Sequence, residues 1–133
     1  MLPCAMTDDR SEGLLAWQWS LYTGNHQDRR NLLLHVLSVP VFQLGTVMLA
    51  TSPLTSLVWA VPGLVGMGLA MAVQGRGHRL ETTAPVPFRG PLDVVSRIFV
   101  EQWVTFPRFV LSGGLSRAWR AASGAPAAQP PGA

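Results

Sequence analysis

The fold is decided by an uncharged stretch of 45 residues, residues 31–75, which reads NLLLHVLSVPVFQLGTVMLATSPLTSLVWAVPGLVGMGLAMAVQG. It contains no Asp, Glu, Lys or Arg and is far longer than one buried core helix needs. Ser52 and Pro53 interrupt it near the middle: serine is a good N-cap, and proline suits the first position of a helix. We therefore predict two helices, residues 32–50 and residues 53–73.

Both predicted helices have the length of a membrane span. At 1.5 Å per residue they measure roughly 28–32 Å, close to the thickness of a bilayer's hydrocarbon core. Arg29 and Arg30 precede the first helix, Arg76 and Arg79 follow the second, and the connection between the helices has no charge. Because arginine is retained on the cytoplasmic side, we predict an all-α membrane protein of a bacterial inner membrane. It is a transmembrane helical hairpin with both termini in the cytoplasm.

The composition of the whole chain agrees with this class. Only 13% of the 133 residues are charged and 48% are hydrophobic, whereas soluble domains carry about 25% charged residues. The net charge of +3 is not gathered into a basic cluster with interleaved aromatic residues, so we expect no nucleic-acid partner. The single cysteine, Cys4, excludes a disulfide framework and a cysteine-based zinc site.

The segments beside the hairpin are predicted to form interfacial helices. Residues 11–22 are typical of a short amphipathic helix, with Trp19 and Tyr22 suited to the water–lipid boundary. A last helix is predicted to begin at Pro91 and to end before Gly113. Because this helix contains charged residues, we expect it to lie in the interface or to pack against the hairpin.

The two ends of the chain are predicted to lie outside the membrane domain. Residues 1–12 contain acidic residues and no apolar region, so we expect an N-terminal extension rather than a signal peptide. Residues 13–112 then form a single helical membrane domain. Residues 113–133 are rich in Ala, Pro and Gly and are predicted to be a disordered tail.

All three histidines fall at the same end of the predicted hairpin. His35 lies one helical turn beyond Asn31 in the first helix, His78 follows the second helix, and His26 precedes the first. Counting outward from the predicted turn places Asn31 and Gln74 at the same depth. Polar side chains near hydrocarbon are costly unless they are paired. They indicate a metal or cofactor site or, alternatively, hydrogen bonds between the helices.

The polar residues on the two sides of the hairpin form an ordered pair of motifs. The motifs are Tyr22-x3-His26-x4-Asn31-x3-His35 and Gln74-x2-Gly77-His78-x2-Glu81-x3-Pro85. Over residues 17–110 the chain resembles the family of small membrane proteins named for the fungal 2-hydroxy fatty acid dioxygenase. Family members often carry a glutamate in a further helix, which Glu101 matches.

The resemblance implies an enzyme that uses Fe(II) and O2 to shorten a 2-hydroxy fatty acid by one carbon. On this basis His26, His35 and His78 bind the iron, because neutral imidazoles suit Fe(II) and three of them leave open positions. Glu81 is either a fourth ligand or an acceptor that orients His78. The acyl chain of the substrate would lie along the hairpin, among membrane lipids.

The remaining motif residues receive catalytic roles from the same resemblance. Asn31 and Gln74 would hold the substrate headgroup or the ligands, and Tyr22 would donate to bound oxygen. Glu81 belongs to this set as well, and Arg79 would attract the substrate carboxylate. Two helices and part of a third are few for enclosing a lipid, which favours a homodimer.

Three other interpretations stay open at this point. The first is a haem-binding module with His35 and His78 as axial ligands. The second is a non-catalytic membrane scaffold whose polar residues only hold helices together. The third is a zinc hydrolase built on the three histidines, because ligand type alone does not decide the metal.

Overall fold

The computed structural model describes residues 8–124, and within this range the chain is helical and contains no strand. The elements in chain order are α1 (Leu14–Tyr22), α2 (Arg29–Thr51), a 3-10 turn (Leu57–Trp59), α3 (Ala60–His78), α4 (Pro91–Val100), a π-helical turn (Glu101–Thr105), α5 (Phe106–Leu111) and α6 (Gly114–Ala122). The predicted all-α class is therefore confirmed for the described part of the chain.

Two helical stretches are long and apolar enough to cross a membrane. They are α2 and Leu57–His78, with mean hydropathies of 1.9 and 1.7. The first begins earlier than predicted because Asp28 caps it: Oδ1 of Asp28 accepts a 2.8 Å hydrogen bond from the backbone N–H of Arg30. The outer faces of both stretches leave large apolar side chains exposed, among them Leu37, Leu44, Leu64 and Leu69.

The helices α2 and α3 run antiparallel and touch through glycine. A Cβ atom on Gly45 would lie 2.6 Å from the carbonyl oxygen of Gly63, and one on Gly63 would lie 2.8 Å from the carbonyl oxygen of Gly45. Towards the other end of the pair, Gly77 meets Asn31. The absence of a side chain lets the two backbones approach closely at Gly45 and Gly63 and makes room for the Asn31 side chain at Gly77.

The turn between α2 and α3 lies later in the chain than predicted. Ser52 does not cap the second helix, since its hydroxyl donates to the carbonyl of Leu49 at 2.8 Å and closes the end of α2. Helical structure resumes only at Leu57. The second helix is therefore displaced along the first, and Gly77 rather than Gln74 lies opposite Asn31. The predicted equal depth of Asn31 and Gln74 is wrong for this reason.

A third long helix packs against this pair. It runs from α4 through the π-helical turn into α5, as predicted for the segment from Pro91 to the glycines that follow Leu111. The ring of Phe99 meets that of Phe42 edge-on with a centroid distance of 5.4 Å, and Phe109 shares the core with Leu32. This helix therefore runs antiparallel to α2.

The short helices close one end of the bundle. Tyr22 is buried in the core with Leu32 and Phe109, so the prediction that it anchors α1 in the water–lipid boundary is wrong. Trp19 is only partly buried and lies under the guanidinium of Arg108, 4.0 Å from the ring centroid. Helix α1 is therefore part of the packed bundle.

The predicted disordered tail is also partly wrong. Residues 114–122 form α6, in which Leu115, Ala118 and Trp119 recur at helical spacing and pack on the core. Gly113 permits the preceding turn with a φ of 78°. Residues 125–133 of the predicted tail, and residues 1–7 of the predicted N-terminal extension, lie outside the described range.

Candidate metal centre

The three histidines meet at the end of the bundle where α2 begins and α3 ends. Their ring centroids lie 4.6–5.1 Å apart, and Glu101 from the third long helix joins them. One nitrogen or carboxylate oxygen from each of the four residues lies within 4.8 Å of the others. The structure thus brings together His26, His35 and His78, and it supplies Glu101 rather than Glu81 as the fourth group.

Two of the histidines are held by the same local hydrogen bond. Nδ1 of His26 lies 2.8 Å from the carbonyl oxygen of Tyr22, and Nδ1 of His35 lies 3.0 Å from that of Asn31. A carbonyl oxygen can only accept, so Nδ1 carries the proton in both rings. In the neutral imidazole, Nε2 is then a lone-pair acceptor, which is the usual arrangement of a metal-binding histidine.

The free acceptor atoms face one another. Nε2 of His26 lies 3.3 Å from Nε2 of His35, and Oε1 of Glu101 lies 3.7 Å from the first and 3.4 Å from the second. Such a convergence of buried lone pairs is repulsive unless a proton or a cation lies among them. The side chains of His26 and His35 are 2% and 0% exposed, so bulk water does not separate these atoms.

The charge states call for a positive charge at the centre of the cluster. Burial, together with the neighbouring His35, lowers the pKa of His26 to about 3, so this ring is neutral near pH 7. Burial alone would raise the pKa of Glu101, but the contact of its carboxylate with His35 and the other two histidines lowers it to about 2. The cluster is therefore an anionic set of acceptors.

The spacing of these atoms fits one metal ion. Two nitrogen ligands that each lie about 2.0–2.1 Å from an ion are about 2.8–3.0 Å apart in octahedral geometry and about 3.3–3.4 Å apart in tetrahedral geometry. The two Nε2 atoms are 3.3 Å apart. His78 adds a further sign, since its Nδ1 is buried without a hydrogen-bond partner among the described residues. The donor set of three imidazoles and one carboxylate suits iron or zinc.

Tyr22 supports the cluster from one side. Its ring stacks on His26 with a centroid distance of 4.0 Å, and its hydroxyl donates to Oε1 of Glu101 at 3.2 Å. The predicted site residue Tyr22 is therefore present at the site. Its observed contacts orient His26 and Glu101.

The π-helical turn places Glu101 at the cluster. Pro107 has no N–H, and its ring would clash with a carbonyl four residues earlier in a regular α-helix. The chain widens before it: the N–H of Phe106 donates to the carbonyl of Glu101, five residues back. The carbonyl of Gln102 is left without a helical donor, and the side chain of Gln43 from α2 donates to it at 2.8 Å. Such turns are frequent at functional sites.

Gln74 is engaged in a pair with another glutamine. Its amide nitrogen donates to Oε1 of Gln102 at 3.0 Å, and the amide nitrogen of Gln102 donates back at 2.7 Å. Both side chains are buried. The pair links α3 to the π-helical turn, and Gln74 also lines the cavity described below, so its predicted role at a substrate headgroup stays a prediction.

Glu81 and Asn31 form a second structural unit beside the cluster. The carboxylate of Glu81 accepts from the backbone N–H groups of Gln27 and Asp28 at 3.0 Å and from the amide of Asn31 at 2.6 Å. Glu81 therefore fixes the chain that enters α2. Its backbone N–H donates to the carbonyl of His78 at 3.2 Å, but within the described range its carboxylate has no hydrogen bond to the His78 ring. The geometry therefore does not use Glu81 as the predicted ligand or orienting acceptor.

A cavity of about 620 Å³ opens beside the cluster of the three histidines and Glu101, called the metal cluster below. His26, His78 and Glu101 form part of its wall. The rest of the lining is mostly apolar and comes from Trp17, Leu21, Met71, Val86, Phe88 and Ile98, among others. The volume and the mixture of apolar wall with a few convergent polar groups are typical of a small-molecule site.

The contact between the histidine rings argues against the haem interpretation. His35 and His78 have ring centroids only 5.0 Å apart, and His26 lies edge-on to both. Axial ligands must lie on opposite faces of a porphyrin, and rings this close leave no room for the macrocycle. The geometry fits a metal ion bound directly by side chains.

Comparisons of the chain with protein-family models, with curated proteins and with solved structures find no match. The motif resemblance to the dioxygenase family therefore stays a hypothesis. The site is argued from its geometry alone.

Proposed function

We propose that the chain is a membrane-embedded, Fe(II)-dependent dioxygenase that shortens 2-hydroxy fatty acids by one carbon. The observation that carries this proposal is the convergence of Nε2 of His26, Nε2 of His35 and Oε1 of Glu101 within 3.7 Å of one another. These are buried acceptors that need a cation, and an apolar cavity adjoins them.

The membrane location rests on the outer surface of the two long helices. The exposed leucines and valines of α2 and α3 form an apolar surface larger than a soluble monomer usually tolerates. Arginines flank both helices at the end that carries the metal cluster. By the positive-inside rule this end and both termini face the cytoplasm.

The lining of the cavity supports the proposed substrate class, and the metal-binding side chains support the proposed reaction with O2. An apolar wall beside polar groups suits a molecule with one long chain and a polar head. The balanced reaction converts R–CH(OH)–COOH and O2 into R–COOH, CO2 and H2O. Bound Fe(II) would supply the redox chemistry with O2 that no side chain can provide.

The protein residues have defined tasks in this proposal. His26, His35, His78 and Glu101 hold the metal, and the carbonyl groups of Tyr22 and Asn31 fix the orientation of two of the rings. The hydroxyl of Tyr22 keeps the Glu101 carboxylate aimed at the cluster. The apolar part of the cavity wall would contact the chain of the substrate.

The deciding experiment is a turnover assay with the full chain in detergent or nanodiscs. The metal content is measured first, and the protein is then incubated with Fe(II), O2 and 2-hydroxyhexadecanoate. We expect pentadecanoate and CO2, with one O2 consumed per product. Bound iron without turnover over a range of chain lengths would refute the reaction. Zinc as the tightly bound metal would favour the hydrolase alternative.

A further inference from the structure

Arg97 occupies an unusual position in the cavity wall. Its side chain is only 12% exposed, and its guanidinium lies 4.4 Å from the ring centroid of Phe88 and 5.0 Å from that of Trp17. A cation this deeply set among apolar groups is costly unless a partner compensates it. The cavity is the space in which such a partner can lie.

The protein satisfies only part of the hydrogen-bonding capacity of Arg97. Nη1 donates to the carbonyls of Val86 and Pro87 at 2.9 and 3.2 Å. Among the residues that the structure describes, Nε and Nη2 of Arg97 have no acceptor. These atoms form one edge of the guanidinium, the edge that binds a carboxylate through two parallel hydrogen bonds.

The positive charge of Arg97 is likewise only partly balanced. The nearest carboxylate oxygen of Asp93 lies 3.7 Å from Nη1, beyond hydrogen-bonding distance. Asp93 is bound more closely by Arg10, which donates to its carboxylate with both terminal nitrogens. The Arg97 site is therefore suited to one further negative charge.

Arg97 also has a fixed relation to the metal cluster. It lies four residues before Glu101 on one continuous helix, so both side chains are on the same helical face, one turn apart. A ligand whose anionic end is at Arg97 places its adjoining carbon atoms towards the cluster. Its chain would then follow the apolar wall.

We propose that Arg97 binds the carboxylate of a single-chain fatty acid in this cavity and selects free acids over neutral lipids of the same length. This inference deepens the proposed function by naming the group that recognises the substrate. Arg79, which was predicted from the sequence to attract the carboxylate, also lines the cavity. It is an exposed residue and gives the competing variant, whereas Arg76, which is exposed and is not part of the cavity lining, provides the matched control.

Binding can be measured without turnover. The full chain is placed in phosphatidylcholine nanodiscs with the fluorescent fatty acid cis-parinaric acid bound, and hexadecanoic acid and hexadecan-1-ol are used as displacing ligands. We expect the wild-type protein to bind the acid more tightly than the alcohol. Arg97→Gln should weaken acid binding roughly 10- to 100-fold and leave alcohol binding unchanged, because a bidentate charged hydrogen bond is lost.

Three further variants make the test decisive. Arg97→Lys keeps the charge without the planar fork and should show an intermediate preference, whereas the control Arg76→Gln should behave as the wild-type protein does. Equal affinities of the wild-type protein for acid and alcohol would overturn the proposal, as would a loss of acid binding in Arg79→Gln alone. The ligands carry no 2-hydroxyl group and no O2 is consumed. A failed dioxygenase assay and a failed carboxylate site are therefore distinguished.

Discussion

Nε2 of His26 lies 3.3 Å from Nε2 of His35, while Nδ1 of each ring is bound to the carbonyl oxygen four residues earlier in the chain. The same local hydrogen bond thus fixes the proton on the outer nitrogen of both rings and points both lone pairs inward. The two rings come from different local structures, one before α2 and one within it. Their matching geometry is what a shared cation requires.

The first prediction concerns metal removal. A metal present at 100 to 1,000 times its Kd stabilises the folded protein by about 3–4 kcal/mol, so chelation by EDTA should lower the Tm of the wild-type protein. His35→Leu removes one Nε2 and should largely lose this response to EDTA. Thermal unfolding with and without EDTA, followed by addition of Fe(II), measures the effect. An equal EDTA response in both proteins would contradict the assigned site.

The second prediction compares two glutamates near the site. Glu101→Gln removes the only carboxylate of the cluster and should reduce the bound metal at least tenfold, because an anionic ligand is replaced by a neutral one. Glu81→Gln should keep the metal and cost about 1–3 kcal/mol of stability, since hydrogen bonds to the start of α2 weaken. Metal analysis and denaturant unfolding separate the two effects. The opposite pattern would restore Glu81 as the ligand.

The sequence predicted the two long helices and the meeting of the histidines because both follow from local signals. An uncharged run with flanking arginines determines the former, and the spacing of His26, His35 and His78 around one hairpin determines the latter. The register between α2 and α3 could not be predicted from local signals. Ser52 and Pro53 have the properties of a helix start, but the hydroxyl of Ser52 instead closes the end of α2.

The place of Glu101 depends on contacts that are distant in sequence. Glu101 begins the π-helical turn, and the signal for that turn is Pro107 inside an otherwise continuous helix. The stabilising bond comes from Gln43, which is 59 residues away from Gln102 in the chain. Helix α6 was missed for another reason: the Ala-rich composition of the last segment hid the helical spacing of Leu115, Ala118 and Trp119.

The third prediction tests the close approach of α2 and α3. A Cβ on Gly45 would lie 2.6 Å from the carbonyl oxygen of Gly63, so Gly45→Ala forces the helices apart and should destabilise the fold by about 1–3 kcal/mol. Gly68 is the control, since a Cβ there meets nothing within 4 Å. Gly68→Ala should be neutral or slightly stabilising. Unfolding in mixed detergent measures both variants, and equal effects would argue against the glycine contact.

The fourth prediction concerns acid stability. The hydrogen bond from Arg10 is the main cause that lowers the pKa of Asp93 to about 2, below its ordinary value of 3.8. A carboxyl whose pKa is depressed by folding stabilises the protein above the unfolded pKa, and this contribution is lost as the pH falls from about 4 through 2. Asp93→Asn should therefore show a weaker loss of stability over that pH range. A wild-type pH dependence in the variant would contradict this assignment.

The fifth prediction concerns the residue that completes the π-helical turn. Gln43→Leu leaves the buried carbonyl of Gln102 without a donor, so we expect a loss of about 1–3 kcal/mol in unfolding free energy. Because Glu101 begins this turn, metal affinity should fall with it. Tryptophan-detected unfolding and Fe(II) titration are the two measurements.

The control for this variant is Gln18→Leu. Gln18 also donates to a carbonyl of the same long helix, that of Arg97, at 3.1 Å. That carbonyl keeps a helical donor, the N–H of Glu101. Gln18→Leu should therefore cost less unfolding free energy than Gln43→Leu and leave the metal affinity unchanged. Equal losses of metal affinity in the two variants would mean that Gln43 acts only on general stability. A selective loss in Gln43→Leu would identify it as a residue that positions Glu101 through the π-helical turn.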